Sequence, residues 1–178
     1  MHLRLALAAV LTAALLLVLP GLAQQDAEYV SPPEELPREV AAQPIPFNHK
    51  LHVDKGIECL DCHKGAEKKR AAGLPEMKDC FVCHQTIAAN SPDIQKMAML
   101  FNGGVKLDWV RVYQTPDFVF FSHKNHVKAG LSCEQCHGPV RTREVLAQEV
   151  STNMTACMNC HKERGATTEC FFCHELGQ

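Results

Sequence analysis

All ten cysteines of this chain fall into five copies of one pattern, Cys-x-x-Cys-His: Cys59 and Cys62 with His63, Cys80 and Cys83 with His84, Cys133 and Cys136 with His137, Cys157 and Cys160 with His161, and Cys170 and Cys173 with His174. Two thiols three positions apart lie one helical turn apart, on a common face. Both can form thioethers to the vinyl groups of one porphyrin while the next residue turns its imidazole toward the iron, so the pattern predicts five covalently bound c-type haems. The ten cysteines are the attachment residues, and His63, His84, His137, His161 and His174 are the first axial ligands.

Zinc and disulfides are the competing uses of so many cysteines. Zinc sites built from paired Cys-x-x-Cys knuckles place no demand on the residue that follows; here it is His five times out of five. A disulfide framework would show irregular spacings and leave those histidines unexplained.

Removing residues 1–23 leaves 155 residues, 31 for each motif. That is too little chain to surround each porphyrin with its own apolar shell, so the haems are expected to pack against one another. Small chains that bury little surface need covalent or metal staples, and without haem this one is expected to be unfolded.

The N-terminus carries Arg4, an apolar run from Leu5 to Leu19, and then Pro20-Gly21-Leu22-Ala23 before Gln24. Residues 1–23 read as an export signal; kept uncleaved, the same stretch reads as an N-terminal membrane anchor at the short end of spanning length. Either way the rest of the chain is expected outside the cytoplasm, in the periplasm. Residues 24–46 hold half of the chain's ten prolines, together with Asp26, Glu28, Glu34, Glu35 and Glu39. They read as a Pro-rich tether, extended and semi-rigid, or as a disordered N-terminus of the mature chain.

The formal net charge of −2 gives no nucleic-acid footprint, and haem propionates would make the protein more negative. One basic run, Lys64 to Arg70, follows the first motif directly. It reads as a neutraliser of propionates, as a steering patch for an acidic redox partner, or as a plain solvated face.

An internal repeat organises the remainder. Phe47-Asn48-His49-Lys50-Leu51-His52-Val53 recurs as Phe121-Ser122-His123-Lys124-Asn125-His126-Val127, and the offset of 74 continues through Cys59 with Cys133 and His63 with His137. After an insertion of three, Met77 pairs with Met154 and Cys80 with Cys157. Each iron needs a second axial group, and the four histidines outside the motifs and residues 1–23 all lie in the two Phe-x-His-x-x-His elements. Three residues apart, His49 and His52 project from one turn toward two different irons, and so do His123 and His126.

These elements resemble the class III multihaem cytochromes c, small electron carriers in which Phe-x-His-x-x-His precedes a Cys-x-x-Cys-His. The resemblance implies that His49 ligates the haem at Cys59/Cys62, His52 that at Cys80/Cys83, His123 that at Cys133/Cys136, and His126 that at Cys157/Cys160. It leaves the haem at Cys170/Cys173 without a histidine and points to Met154, three residues before Cys157, as its distal ligand, with Met77 in reserve; an open fifth site is the other outcome. Methionine opposite histidine raises a haem's potential. The segments Gln43–Lys50, Trp109–Tyr113, Pro116–His123 and Cys136–Val140 are more specifically similar to the pentahaem cytochrome c subunit of alternative complex III and related quinol-oxidoreductase-associated cytochromes. That similarity implies a periplasmic subunit relaying electrons from a membrane quinol-oxidising complex to a soluble or membrane-bound acceptor. Its partners would be redox proteins, with membrane association through a partner or an uncleaved N-terminus.

The fold class expected is therefore a multihaem cytochrome c: short α-helices and irregular coil wrapped around stacked haems, at most one or two short strands, built as a duplicated class III-like module. A di-haem module is expected at 47–90, a connector at 91–120 and a tri-haem module at 121–178. Within the connector, Ser91-Pro92 starts a helix that Gly103-Gly104 stops, with Ile94, Met97 and Phe101 on one face and Met97 and Met99 as packing residues. Val105 to Tyr113 alternates like one strand, and Trp109 packs in the core or against a porphyrin. No enzyme motif stands out; catalysis or ligand sensing needs an open coordination position, which only the fifth site could offer. A subunit of an extracellular cytochrome filament is the remaining alternative, with the fifth ligand donated between copies.

Overall fold

The computed structural model describes residues 30–174; the expected signal or anchor at 1–23 lies outside them. Among the described residues no helix is long and apolar enough to cross a membrane. The helices are short, in the order α1 (His49–Asp54), α2 (Cys59–Cys62), α3 (Met77–His84), α4 (Pro92–Asn102), α5 (His123–Lys128), α6 (Glu134–His137), α7 (Met154–Arg164) and α8 (Cys170–Cys173). A 3-10 turn at Val140–Thr142 follows α6.

Local capping explains why so brief a set of helices forms where it does. A helix of one or two turns has few internal hydrogen bonds, so its free first-turn N–H groups decide its start. Asn48 accepts from Leu51 N at 2.8 Å to open α1, and Asn153 accepts from Ala156 N at 2.9 Å to open α7. Glu58 with Asp61, and Glu76 with Asp79, form reciprocal capping boxes on α2 and α3, just before or within the cysteine motifs. Ser91 accepts from Ile94 N at 3.2 Å with Pro92 in the first turn, so α4 begins where the sequence places it and ends at Gly103. Gly165 closes α7 in the left-handed conformation, φ 64°.

The protein core is small. Among the described residues only Ile45, Met77 and Met97 are buried apolar side chains, with Phe81, Ile94, Leu107 and Trp109 packed against them. α4 lies on α3, Phe81 meets Phe101 at 5.2 Å, and Phe47 meets Trp109 edge-on at 6.3 Å. The connector is thus part of the first module's core, and the division at residue 46 cuts through that core at Ile45. Met97 packs as expected; Met99 is 69% exposed and does not.

Two expectations are corrected. No strand forms at Val105–Tyr113, and among the described residues extended pairing is limited to one antiparallel bridge, Val119 with His174. The Gln43 side-chain amide takes the place of a strand partner: its Nε2 donates to Val110 O at 2.9 Å and its Oε1 accepts from Val110 N at 3.0 Å. Nor do residues 30–46 hang free as a tether. They run extended across both modules, with Ser31 hydrogen-bonded to Thr155, Arg38 N donating to Gln148 O at 3.0 Å, and the Pro44 carbonyl accepting from Lys96. Glu34 collects bonds from Gln148 and Ser151. The prolines keep this strap extended, and polar side chains fasten it.

Repeat-related residues meet across the module boundary. Lys50 N donates to Arg143 O at 3.0 Å, and its repeat partner Lys124 N donates to Lys69 O at 3.1 Å, where Lys69 and Arg143 are themselves 74 apart. α1 of the first module thus sits on the loop after α6 of the second, and α5 sits on the loop after α2 of the first. An isologous contact has this signature, residue i on j and j on i, here within one chain.

Candidate haem-binding sites

The motif cysteines stand on the short helices α2, α3 and α7, at the start of α6, and on α8, so each pair presents two sulfurs from one turn. Burial, as the first cause, pushes the thiols of Cys59, Cys62, Cys80, Cys136 and Cys157 above their ordinary range. Among the described residues no three His, Cys, Asp or Glu converge as a metal-ion site. Paired sulfurs one turn apart, with a histidine directly after each pair, suit a porphyrin edge.

The histidines meet in pairs, each joining a Phe-x-His-x-x-His element to a motif. Ring centres of His52 and His84 lie 6.1 Å apart, those of His123 and His137 6.3 Å, and those of His126 and His161 6.0 Å. Two imidazoles bound on opposite faces of one metal, each nitrogen about 2 Å away and each ring centre about 1.1 Å further, have centres about 6.2 Å apart. Direct ring stacking would bring them closer, as Phe47 does on His52 at 4.4 Å. His49 falls within electrostatic reach of His63: burial first, then His63 and His52, hold its pKa at about 4. His137 is also held down, by burial and then by His123 and His63.

Backbone carbonyls fix which ring nitrogen is free. Nδ1 of His63 lies 2.9 Å from Gly73 O, that of His84 2.9 Å from Ile87 O, and that of His161 2.6 Å from Thr167 O. Nδ1 of His52 and His126 reaches back one turn to Asn48 O and Ser122 O, both at 2.8 Å, and that of His123 reaches Arg70 O at 2.9 Å. A carbonyl only accepts, so each Nδ1 carries the proton and each Nε2 keeps its lone pair for a metal. Carbonyl partners of this kind orient metal-bound histidines. The sequence hid most of them because a backbone carbonyl leaves no residue signature; only the cap positions Asn48 and Ser122 recur with the repeat.

The fifth motif is held differently. Phe120 N donates to Cys173 O at 2.6 Å beside the Val119–His174 bridge, and Phe118 meets His174 edge-on at 6.3 Å. No histidine of the described residues pairs with His174. Met154 opens α7 and is 42% exposed, one turn before Cys157, whose sulfur is within electrostatic reach of Cys173. Met77, by contrast, is taken up by the first module's core.

Electrostatic contacts among the sulfurs also order the motifs in space. Cys62 lies within electrostatic reach of Cys83, Cys59 of Cys133, Cys136 of Cys160, and Cys157 of Cys173. The spatial succession is second, first, third, fourth, fifth. Around it Val82, Ile87, Phe171 and Phe172 are each at least 60% exposed on the polypeptide alone. Side chains of that size beside paired sulfurs fit a protein whose interior is completed by porphyrins.

Comparison with known proteins agrees with this construction. The family model for cytochrome c3 matches residues 51–103, and that for cytochrome c7 and related cytochrome c matches residues 119–175, one for each module. A curated relative, the multihaem cytochrome c subunit of menaquinone reductase from Nitratidesulfovibrio vulgaris, is 30% identical over an alignment of 163 residues covering 75% of this chain and 77% of the relative. The chain belongs to the class III-type multihaem cytochromes c. It is an electron carrier with covalently bound c-type haem, and not itself a catalyst.

Proposed function

We propose that the protein carries five haems and exchanges electrons, in the periplasm, with a membrane quinone oxidoreductase to which it docks. The observation that carries this reading is the histidine pairing: four of the five motif histidines have a second histidine opposite or within reach, so four sites are closed to substrates. Haem in such a site supplies one-electron transfer with little change in coordination. The chain's own residues do the rest. The cysteines fix each porphyrin's position, the carbonyls at Gly73, Ile87, Arg70 and Thr167 hold the imidazoles in one tautomer, and the order of motifs makes the second and fifth sites the ends of a row.

His49, His52, His123 and His126 are the second axial ligands in this reading, and Met154 is the distal ligand proposed for the fifth site. The resemblance to quinol-oxidising complexes implies electrons arriving from quinol. The relative's name favours the opposite direction, toward menaquinone. Purified haem-loaded protein mixed with native membranes decides: membrane-dependent reduction by a menaquinol analogue supports the first direction, and membrane-dependent oxidation of pre-reduced protein by a menaquinone analogue supports the second. No exchange in either arm refutes the quinone link, while a covalent haem count below five refutes the five-site reading.

A further inference from the structure

We propose that each module positions the other's histidine helix, that this exchange is complete at the third site and incomplete at the first, and that the Arg70 carbonyl lowers the third site's potential through His123. This rests on the five-site reading and deepens it.

The third site depends on the first module. His123 receives two bonds from one acceptor there: its backbone N–H and its Nδ1–H both point at Arg70 O, each at 2.9 Å. Lys124 N reaches Lys69 O in the same loop, Arg70 Nε donates to Phe121 O, and the Arg70 guanidinium lies 5.5 Å from the Phe120 ring centre. The basic loop that looked like a plain solvated face is the seat of α5. Its backbone is folded tightly to present those carbonyls: Gly65 N donates to Ala72 O at 2.9 Å, and Gly65 O accepts from Lys68 N and Lys69 N.

The reciprocal half is weaker. Lys50 N finds Arg143 O, as the repeat requires, but the residue matching Arg70 is Glu144, and Nδ1 of His49 is buried with no hydrogen-bond partner. The three-residue insertion falls in this part of the second module, between His137 and Met154, and accounts for the altered loop. An imidazole that donates from Nδ1 is the more basic ligand. More basic ligands favour ferric iron, so the Arg70 carbonyl lowers the third site's potential through His123.

Gly65→Ala tests this from a distance. A Cβ there would lie 2.5 Å from Ala72 O and 2.6 Å from Ala71 O, both backbone atoms, so the loop must shift and carry Arg70 O away from His123. With five haems retained by pyridine haemochrome count, the expected result is a rise in the third site's midpoint potential, followed by NMR or EPR during redox titration. A third-site potential that does not move overturns the proposal; a lowered haem count instead reports on attachment and the five-site reading. In the unaltered, fully reduced protein, histidine labelled with nitrogen-15 gives a second reading that needs no variant. The Nδ1 proton of His123 should resonate downfield of that of His49, and equal shifts would overturn the asymmetry.

Discussion

Replacing His52 with alanine tests the second site most directly. In the structure its ring centre stands 6.1 Å from that of His84, and its Nδ1 is tied to Asn48 O. An alanine Cβ would end about 6 Å from a metal seated between the rings, with about 2 Å metal–nitrogen bonds as reference, so the site loses one face outright. Cys80, Cys83 and His84 remain, and the covalent haem count should stay at five. One site in five should then change from low-spin to high-spin, lowering the low-spin signal by about a fifth and creating one carbon monoxide-binding haem. Stability should also fall, because the Phe47 ring stacks on His52 at 4.4 Å and 18°; such a contact contributes about 0.5–1.5 kcal/mol, and the lost Asn48 bond about 1 kcal/mol more. The assay is the electronic and EPR spectrum of purified protein, with and without carbon monoxide. An unchanged low-spin signal, or a high-spin signal from another site, would refute the pairing of His52 with His84.

Three further outcomes follow from the geometry. Met97→Ala removes a third of a three-residue core and should cost about 2–5 kcal/mol, read from thermal melting of the haem-loaded protein. Gln43→Ala breaks both bonds to the Val110 backbone and should destabilise by about 1–3 kcal/mol, with faster proteolysis of residues 30–46 as the second sign. Arg143 donates to both carboxylate oxygens of Glu149, at 2.6 and 2.8 Å, and holds its pKa below the ordinary 4.5. A depressed carboxylate pKa gives stability that is present above 4.5 and lost as pH falls through the lower folded value, so Glu149→Gln should flatten the acid side of the melting-temperature profile.

How much of this was legible depended on whether a side chain carried the signal. The motifs, the repeat and the α4 boundaries at Ser91-Pro92 and Gly103-Gly104 could all be read because cysteine, histidine, proline and glycine state their roles locally. Val105–Tyr113 misled because alternation describes a strand's faces and not its partner; the partner is the side chain of Gln43, 67 positions from Val110. The strap is fastened by polar side chains more than a hundred positions from their partners at Thr155 and Gln148, which no local pattern announces, and the seating of α5 on Lys69 and Arg70 is made through backbone carbonyls, which every residue possesses. Phe101 sits on the face shared with Ile94 and Met97 yet remains 46% exposed, because the core ends at Phe81.

The two-fold exchange also explains why the fifth motif stands apart. Lys50 with Arg143, and Lys124 with Lys69, use up the surfaces that the duplication created, and Cys59 meets its own repeat partner Cys133 between them. Four motifs and four added histidines satisfy that arrangement, two on each side. A fifth motif has no counterpart and no histidine from a Phe-x-His-x-x-His element, so it must be held by what lies outside the repeat. The structure supplies such a hold in the segment just before α5, where Phe118 meets His174, Val119 bridges it and Phe120 binds Cys173 O. That segment leads directly into the helix bearing His123 and His126. Movement at the fifth site would therefore reach the ligands proposed for the third and fourth through three residues of extended chain, whereas the second site, at the other end of the row, adjoins the Ile45–Met77–Met97 core.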